Sequence, residues 1–316
     1  MEIYDLFLSI VIPCYNSAGF LKKTINEIEE ALGDVRHEII LVNDASLDDT
    51  YDVIRCIASE HSNIIGIDLA KNFGQHAALM AGFSKTSGNA VLCMDDDGQT
   101  PASEIQKLLE ALNDDVDVVY ARYESKNHST FRNLGSKMNA KMTEWMLGKP
   151  KELYVSSFFL ARKFVIDEVL KYRQSFPYVI GLILRSTNKI VNVTVEHKKR
   201  EQGQSGYSMK KLIALWMNGF TAFSIFPLRI ADLLGATIAL IGFITAVILI
   251  IKRLIIGYSI VQGWYSLISV ILIVGGLLML VLGLTGEYIG RTYMCISQAP
   301  QYVIRKSTDH IDKDYM

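Results

Sequence analysis

Three consecutive carboxylates, Asp95, Asp96 and Asp97, follow directly on an apolar run in the stretch VLCMDDDGQTPAS. Carboxylates packed together raise one another's pKa, so something positive must offset them: a metal ion, an arginine or lysine, or plain water. Successive strand residues point to opposite faces, so Asp95 and Asp97 share a side at a strand end and can serve one ion. The triplet lacks the alternating ligands of an EF-hand ahead of Gly98. A solvated acidic turn is the bland alternative, and the position behind a buried run argues against it.

What could hold such a cluster in place is legible upstream and downstream. LSIVIP, EIILVND, NIIGIDL, AVLCMDD and VDVVYA are short, apolar and β-branched, and read as buried strands. Helical periods lie between them. Ser46 with Asp49 resembles a capping box, and Thr100 before Pro101 predicts a helix with proline in its first position. Strands alternating with helices imply βαβ units, hence a mostly parallel sheet with helices on both faces. Ligands of such sheets bind beyond the carboxyl ends of the strands. Here those ends read PCYN, NDAS, DDDGQ and ARY, so polar and acidic groups converge on one edge. The chain contains neither G-x-G-x-x-G nor G-x-x-x-x-G-K-[ST], which excludes a dinucleotide fingerprint and a P-loop. Without a glycine-rich phosphate cradle, the natural neutraliser for a pyrophosphate is a divalent ion such as Mg2+, held by one or two carboxylates.

The 316 residues allow one large domain or two modest ones, and the net charge of -1 excludes bulk attraction to nucleic acid. Cys14, Cys56, Cys93 and Cys295 form no C-x-x-C pair, which suits buried thiols in a reducing compartment. Glu2 and Asp5 precede a short apolar run ending at Pro13, which is no signal peptide, so the front half is expected to be cytosolic. The composition then changes. LLGATIALIGFITAVILII (233 to 251) and LISVILIVGGLLMLVLGLTG (267 to 286) carry no charge, and about 20 apolar residues span a bilayer. We read a transmembrane hairpin over 229–290, with helices at about 230–252 and 265–288. Lys210, Lys211 and Arg229 before it, with Arg291, Arg305 and Lys306 after it, favour cytoplasmic flanks, although Lys252 and Arg253 in the loop compete. Residues 209–228 mix lysine with Trp and Phe like an interfacial helix, and a packed stem is the alternative. The expected organisation is a catalytic domain over 1–208, that juxtamembrane stretch, the hairpin, and a cytoplasmic tail over 291–316. Gly242, Gly275 and Gly276 permit close helix contacts, which leaves a homo-oligomer open.

Taken in order, IVIPCYN, LVNDASLDDT, KNFGQHAALMAGF and MDDDGQTP resemble the family 2 glycosyltransferases of GT-A fold, a Rossmann-like α/β class. The resemblance runs from about residue 9 to 290 and is nearest to the branch of dolichyl-phosphate mannose synthases and bacterial polyprenyl-phosphate glycosyltransferases. It implies that Pro13, Tyr15 and Asn16 hold the nucleotide and that Asp44 reads its base. Asp95 and Asp97 match the DXD pair, with Gln99 beside them, for the donor phosphates and a Mg2+ or Mn2+ ion. Asp96 is implied to reach the ribose or sugar. Arg122, Arg132 and Ser136 match the positions that grip the lipid phosphate. Arg200 matches the pyrophosphate contact of a closing loop that includes His197, Lys199, Gly203, Ser205, Gly206 and Tyr207.

The implied activity is inverting transfer of a sugar from a nucleotide-sugar donor, UDP-hexose or UDP-N-acetylhexosamine, to polyprenyl (undecaprenyl) phosphate for cell-envelope glycans. The catalytic set is then Asp95, Asp97, Arg122, Arg132 and Arg200. Three departures stand out. Asn43 and Ala45 flank Asp44 where the family usually has a second acid and a glycine, and Ser157 stands where much of the family has an aspartate. An alcohol acceptor needs a base, whereas a phosphate monoester, with its second pKa near 6, arrives ionised. Ser157 therefore favours a lipid-phosphate acceptor and leaves no base assigned. The rival readings are a degraded transferase acting as a membrane scaffold, a transferase with another acceptor, a processive synthase (whose Q-x-x-R-W motif is absent) and a small channel.

Overall fold

The structure, a computed structural model, describes residues 6–98, 100–123, 150–196, 226–256, 264–296 and 300–309. The chain divides into two units, Met1–Tyr207 with Gln298–Met316, and Ser208–Ser297.

The first unit is built on an eight-stranded sheet. In chain order its elements are β1 (Leu8–Cys14), α1 (Leu21–Leu32), β2 (His37–Asn43), α2 (Thr50–Glu60), β3 (Ile64–Leu69), α3 (Gln75–Phe83), β4 (Ala90–Cys93), α4 (Ile105–Ala111) and β5 (Val118–Tyr123). Then come β6 (Phe159–Arg162), α5 (Lys163–Leu170), α6 (Val179–Ser186), β7 (Ile190–Val195) and, last in the chain, β8 (Ile304–Ser307). The strand order is β7-β5-β6-β4-β1-β2-β3-β8. Strands β1 to β5 and β7 run one way, and β6 and β8 run against them. The five strands expected from the sequence are β1 to β5, and the mostly parallel sheet follows from them.

Period-two burial splits the core between the two faces. Ile10 and Ile12 of β1 pack with Ile25, Ile28 and Ile57 from α1 and α2, whereas Val11 between them packs with Ala78, Phe83 and Ile183 on the other side. Each such side chain contributes about 1.5–3 kcal/mol on burial. Helix α1 forms because Leu21, Ile25, Ile28 and Leu32 recur on one stripe, and it stops at Gly33, whose φ of 52° needs no Cβ. Helix α3 is made close-fitting by small residues: a Cβ on Gly82 would lie 2.3 Å from Val11 Cγ1.

Two helix starts differ from the sequence expectation. Helix α2 begins at Thr50, whose amide donates to Asp48 Oδ1 at 3.2 Å, while Ser46 turns its hydroxyl to Asn43 Oδ1 at 2.5 Å. Asp48, two residues nearer to the helix than Ser46 and just before the N-cap residue Asp49, takes the first helical amide in its place. Pro101 stays extended (ψ 137°) ahead of a 3-10 turn at Ala102–Glu104, so it lies one position outside the helical backbone.

The second unit contains α7 (Phe226–Ile256) and α8 (Trp264–Ile296). Among the described residues one stretch, Ile273–Gly290, is long and apolar enough to cross a membrane, with mean hydropathy 1.7 and none of it buried. In α7 the apolar stretch Leu233–Ile244 is shorter. The two helices fall where the two spans were expected, but only the second meets the length and composition of a span.

Candidate active site

Strand register explains why distant residues meet at one edge. β1 pairs in parallel with β2, Cys14 opposite Asn43, and with β4, Val11 opposite Cys93. Extending those registers past the strand ends sets Tyr15 level with Asp44, and Pro13 and Tyr15 level with Asp95 and Asp97. β6 is antiparallel to β4 with Cys93 opposite Phe159. Two residues further on, Asp95 faces Ser157. Pro13, Tyr15, Asp44, Asp95, Asp96 and Asp97 all line one cavity of about 350 Å3. Cys14, Asn72, Gly74 and Gln75 also line it, and among the described residues the lining has four carboxylates and no Lys, Arg or His.

Each acid has its own environment. Asp44 accepts the amides of Phe73 at 2.7 Å and Gly74 at 2.8 Å, pinning the turn that leads into α3. Burial raises its carboxyl above the ordinary value despite those two bonds. Asp95 accepts Gln75 Nε2 at 2.8 Å on Oδ1 and the Ser157 hydroxyl on Oδ2. Asp96 turns the other way, accepting the Tyr15 amide at 3.1 Å and the Ser17 hydroxyl on Oδ2. Burial pushes Asp96 up to about 6, and the charges of Asp95 and Asp97 add to it. Tyr123 at the end of β5 bonds Thr100 through its hydroxyl (3.1 Å), and burial, reinforced by Asp95 and Asp97, pushes it up to about 12. The two neighbouring acids point apart, Asp96 toward β1 and Asp95 toward β6 and α3.

The structure separates the expected site residues. Asn16 follows the cavity wall but commits its side-chain oxygen to the Leu47 amide at 2.9 Å. Arg122 lies at the same end of the sheet with an exposed side chain, opposite Thr194 of β7, and is not among the lining residues. Gln99, Arg132, Ser136 and Arg200, together with His197, Lys199, Gly203, Ser205, Gly206 and Tyr207, lie outside the described residues. Gln75 and Ser17 escaped the sequence reading. Gln75 had a signal, being the first residue of a helix that follows Gly74; Ser17 had none that distinguishes it from an ordinary turn serine.

The donor set suits a hard divalent cation. Among the described residues no group of three or more His, Cys, Asp or Glu forms a metal site by itself. One or two carboxylates, completed by water and a substrate's phosphate oxygens, is the arrangement Mg2+ and Mn2+ accept, and oxygen donors exclude the softer metals.

An open α/β sheet with acids gathered at the carboxyl edge of its parallel strands defines a GT-A-like glycosyltransferase fold. The family model described as Glycosyl transferase family 2 matches residues 9–170. Over 305 residues the chain is 33% identical to the undecaprenyl-phosphate 4-deoxy-4-formamido-L-arabinose transferase of Proteus mirabilis (strain HI4320), spanning 95% of this chain and 93% of that one. The transferase of the same name from Yersinia enterocolitica is 35% identical over 303 residues, spanning 95% and 93%. Glucosyl-3-phosphoglycerate synthase from Mycobacterium tuberculosis, solved with Mn2+ and UDP-glucose, shares the fold with a TM-score of 0.51 at 17% identity, over 67% of this chain and 76% of that chain. The chain belongs to glycosyl transferase family 2 and is a glycosyltransferase.

Proposed function

We propose that this enzyme transfers a sugar from a UDP-activated donor to undecaprenyl phosphate at the cytoplasmic face of a membrane, inverting the anomeric carbon. The observation that carries this reading is the cavity of about 350 Å3 on whose wall four carboxylates, Asp44, Asp95, Asp96 and Asp97, converge. Four gathered acids repel a diphosphate unless positive charge offsets them, and Asp95 and Asp97 are the residues assigned to hold a cation that does so. When bound, a Mg2+ or Mn2+ ion supplies neutralisation of the charge that develops on the leaving diphosphate.

The chain's own groups do the rest. Tyr15, Asp44 and Asp96 position the nucleotide. Gln75 and Ser157 hold Asp95 by both oxygens, which fixes its orientation. With its hydroxyl given to Asp95, Ser157 is not a base, and none is needed for an acceptor that arrives ionised. Arg122, with Arg132, Ser136 and Arg200, is assigned to the acceptor phosphate and the pyrophosphate, because guanidinium forks bind phosphate oxygens bidentately. The relatives' names support undecaprenyl phosphate as acceptor and add a 4-deoxy-4-formamido pentose to the hexoses as a candidate donor sugar.

We place α7 and α8 in the bilayer. Residues 233 to 251 carry no charge, and side chains such as Leu278 (58% exposed) and Leu282 (64%) are better satisfied by lipid than by water.

The test is full-length protein in detergent with undecaprenyl phosphate and a panel of UDP-sugars that includes the formamido-arabinose. A mild-acid-labile lipid product that vanishes on chelation and in Asp97→Ala is expected. Undiminished product after both treatments sinks the metal assignment, and product formation without the lipid phosphate sinks the acceptor.

A further inference from the structure

Behind the cavity the polar groups form a chain that crosses the sheet. Asn43 ends β2, and its register partner on β3 is Asp68. Both are buried, 3% and 5% exposed, and Asn43 Nδ2 donates to Asp68 Oδ1 at 2.7 Å. The Asn43 side-chain oxygen accepts from Ser46 twice, from the hydroxyl at 2.5 Å and the amide at 3.2 Å. Ser46 Oγ in turn accepts the Asn16 amide at 3.0 Å. Outward, Asp68 Oδ2 lies 3.7 Å from Arg305 Nη1 on β8, and Arg305 Nη2 donates to Ala70 O at 2.6 Å.

Asn16 (φ 57°) and Ala45 (φ 51°) are the two non-glycine residues with left-handed backbone among those described. Such conformations persist only where surrounding bonds over-determine them. Here the bonds are those of the Asn43–Ser46–Asn16 chain. Asn16 directly follows Tyr15, and Ala45 directly follows Asp44, both in the cavity wall. Arg305 is half exposed, so its ion pair is screened and weak. The buried amide–carboxylate bond is the link that carries the coupling.

We propose that Asn43 and Asp68 are positioning residues for the donor: their hydrogen bond holds the left-handed turns at Asn16 and Ala45, and through them Tyr15 and Asp44, in the geometry that binds the nucleotide. This rests on the donor reading above. An amide at 43 is the required partner, because an acid there would set two buried carboxylates against each other at hydrogen-bonding distance.

The test uses full-length protein in detergent, UDP with saturating Mn2+ as the probe, and Asn43→Asp, Asp68→Asn and the exchanged double variant. Asn43→Asp is expected to weaken UDP binding about tenfold or more, the scale of one hydrogen bond to a charged group. The exchange returns a carboxylate and an amide to the same pair and is expected to bring binding back to within about threefold of wild type. Asp68→Asn keeps an acceptor for Asn43 but faces Arg305 with an amide, and an intermediate loss is expected. Turnover with the donor found in the panel reports the split, the loss falling on KM more than on kcat. Unaltered binding in a folded Asn43→Asp, or a double variant as weak as the single, overturns the proposal. Where Asn43→Asp does not fold, a folded double variant with wild-type affinity supports it and one with lost affinity overturns it. Asp97→Ala serves as the control: UDP binding unaffected there fells the donor reading, whereas loss there with an insensitive residue 43 fells this inference alone.

Discussion

The Ser157 hydroxyl donates to Asp95 Oδ2 across the β4–β6 register, at the position where the family resemblance leads one to expect an aspartate. A serine there orients the acid, whereas a second carboxylate would repel it. Ser157→Ala is expected to lower kcat/KM about tenfold, from loss of one bond to a charged acceptor. Ser157→Asp is expected to lower it at least as far and to move the acid limb of the pH–rate profile upward, since paired carboxylates raise each other's pKa. A Ser157→Asp enzyme with a wild-type profile would show that the two side chains do not share a site.

Gln75 takes the other oxygen of the same carboxylate, at 2.8 Å. Gln75→Glu is expected to raise the Mn2+ concentration needed for half-maximal activity, by a metal titration at fixed UDP-sugar. The direction follows from Asp95 being drawn into sharing a proton with the new acid instead of facing a cation.

His76 makes acid sensitivity local. Its buried Nδ1 has no hydrogen-bond partner among the described residues, its ring meets Tyr178 edge-on at 5.0 Å, and burial pushes its pKa down to about 4. In the unfolded chain it titrates near 6.5, so between these values the unfolded state holds more protons. Stability is therefore full above about pH 6.5 and falls as pH drops toward 4, by at most about 3 kcal/mol from this group. His76→Phe keeps the ring and removes the proton. Its urea midpoint should fall less steeply than that of wild type between pH 7 and 4, and parallel slopes would refute the assignment.

Gly82 sets the distance between α3 and the sheet. With a Cβ 2.3 Å from Val11 Cγ1 and 3.2 Å from Val42 Cγ2, Gly82→Ala forces the helix outward. A loss of about 1–3 kcal/mol is expected, typical of overpacking, and should appear as a lowered Tm. Because Gln75 begins the same helix, UDP binding should weaken along with it.

Much of this architecture is legible in the chain because burial on both faces leaves β1 to β4 as nearly unbroken apolar runs. The acids at their ends then meet by topology alone, which is why Asp44, Asp95, Asp96 and Asp97 could be grouped before any coordinates. What stays hidden depends on pairing between distant segments. β7 is half-buried and interrupts its pattern with Asn192 and Thr194. β8 reads IRKS, which no propensity rule selects, and becomes a strand because the edge of β3 offers it a ladder. Asn16 illustrates the same limit within the site. Its place beside Tyr15 is visible in the chain, but the bond from its side-chain oxygen to the Leu47 amide on the neighbouring loop is not. The departure at Asn43 gains its meaning from Asp68, 25 positions away.

The late arrival of β8 has a consequence for biosynthesis. Thr308 caps the Gly66 amide from 242 positions downstream. At about 5–20 residues per second the ribosome takes on the order of 10–50 s to cover that interval. Throughout it the outer edge of β3 stands open while both apolar helices emerge. An unpaired edge is a template for other chains. A message cut short after α8 should therefore yield a protein that clumps through the bare edge of its sheet.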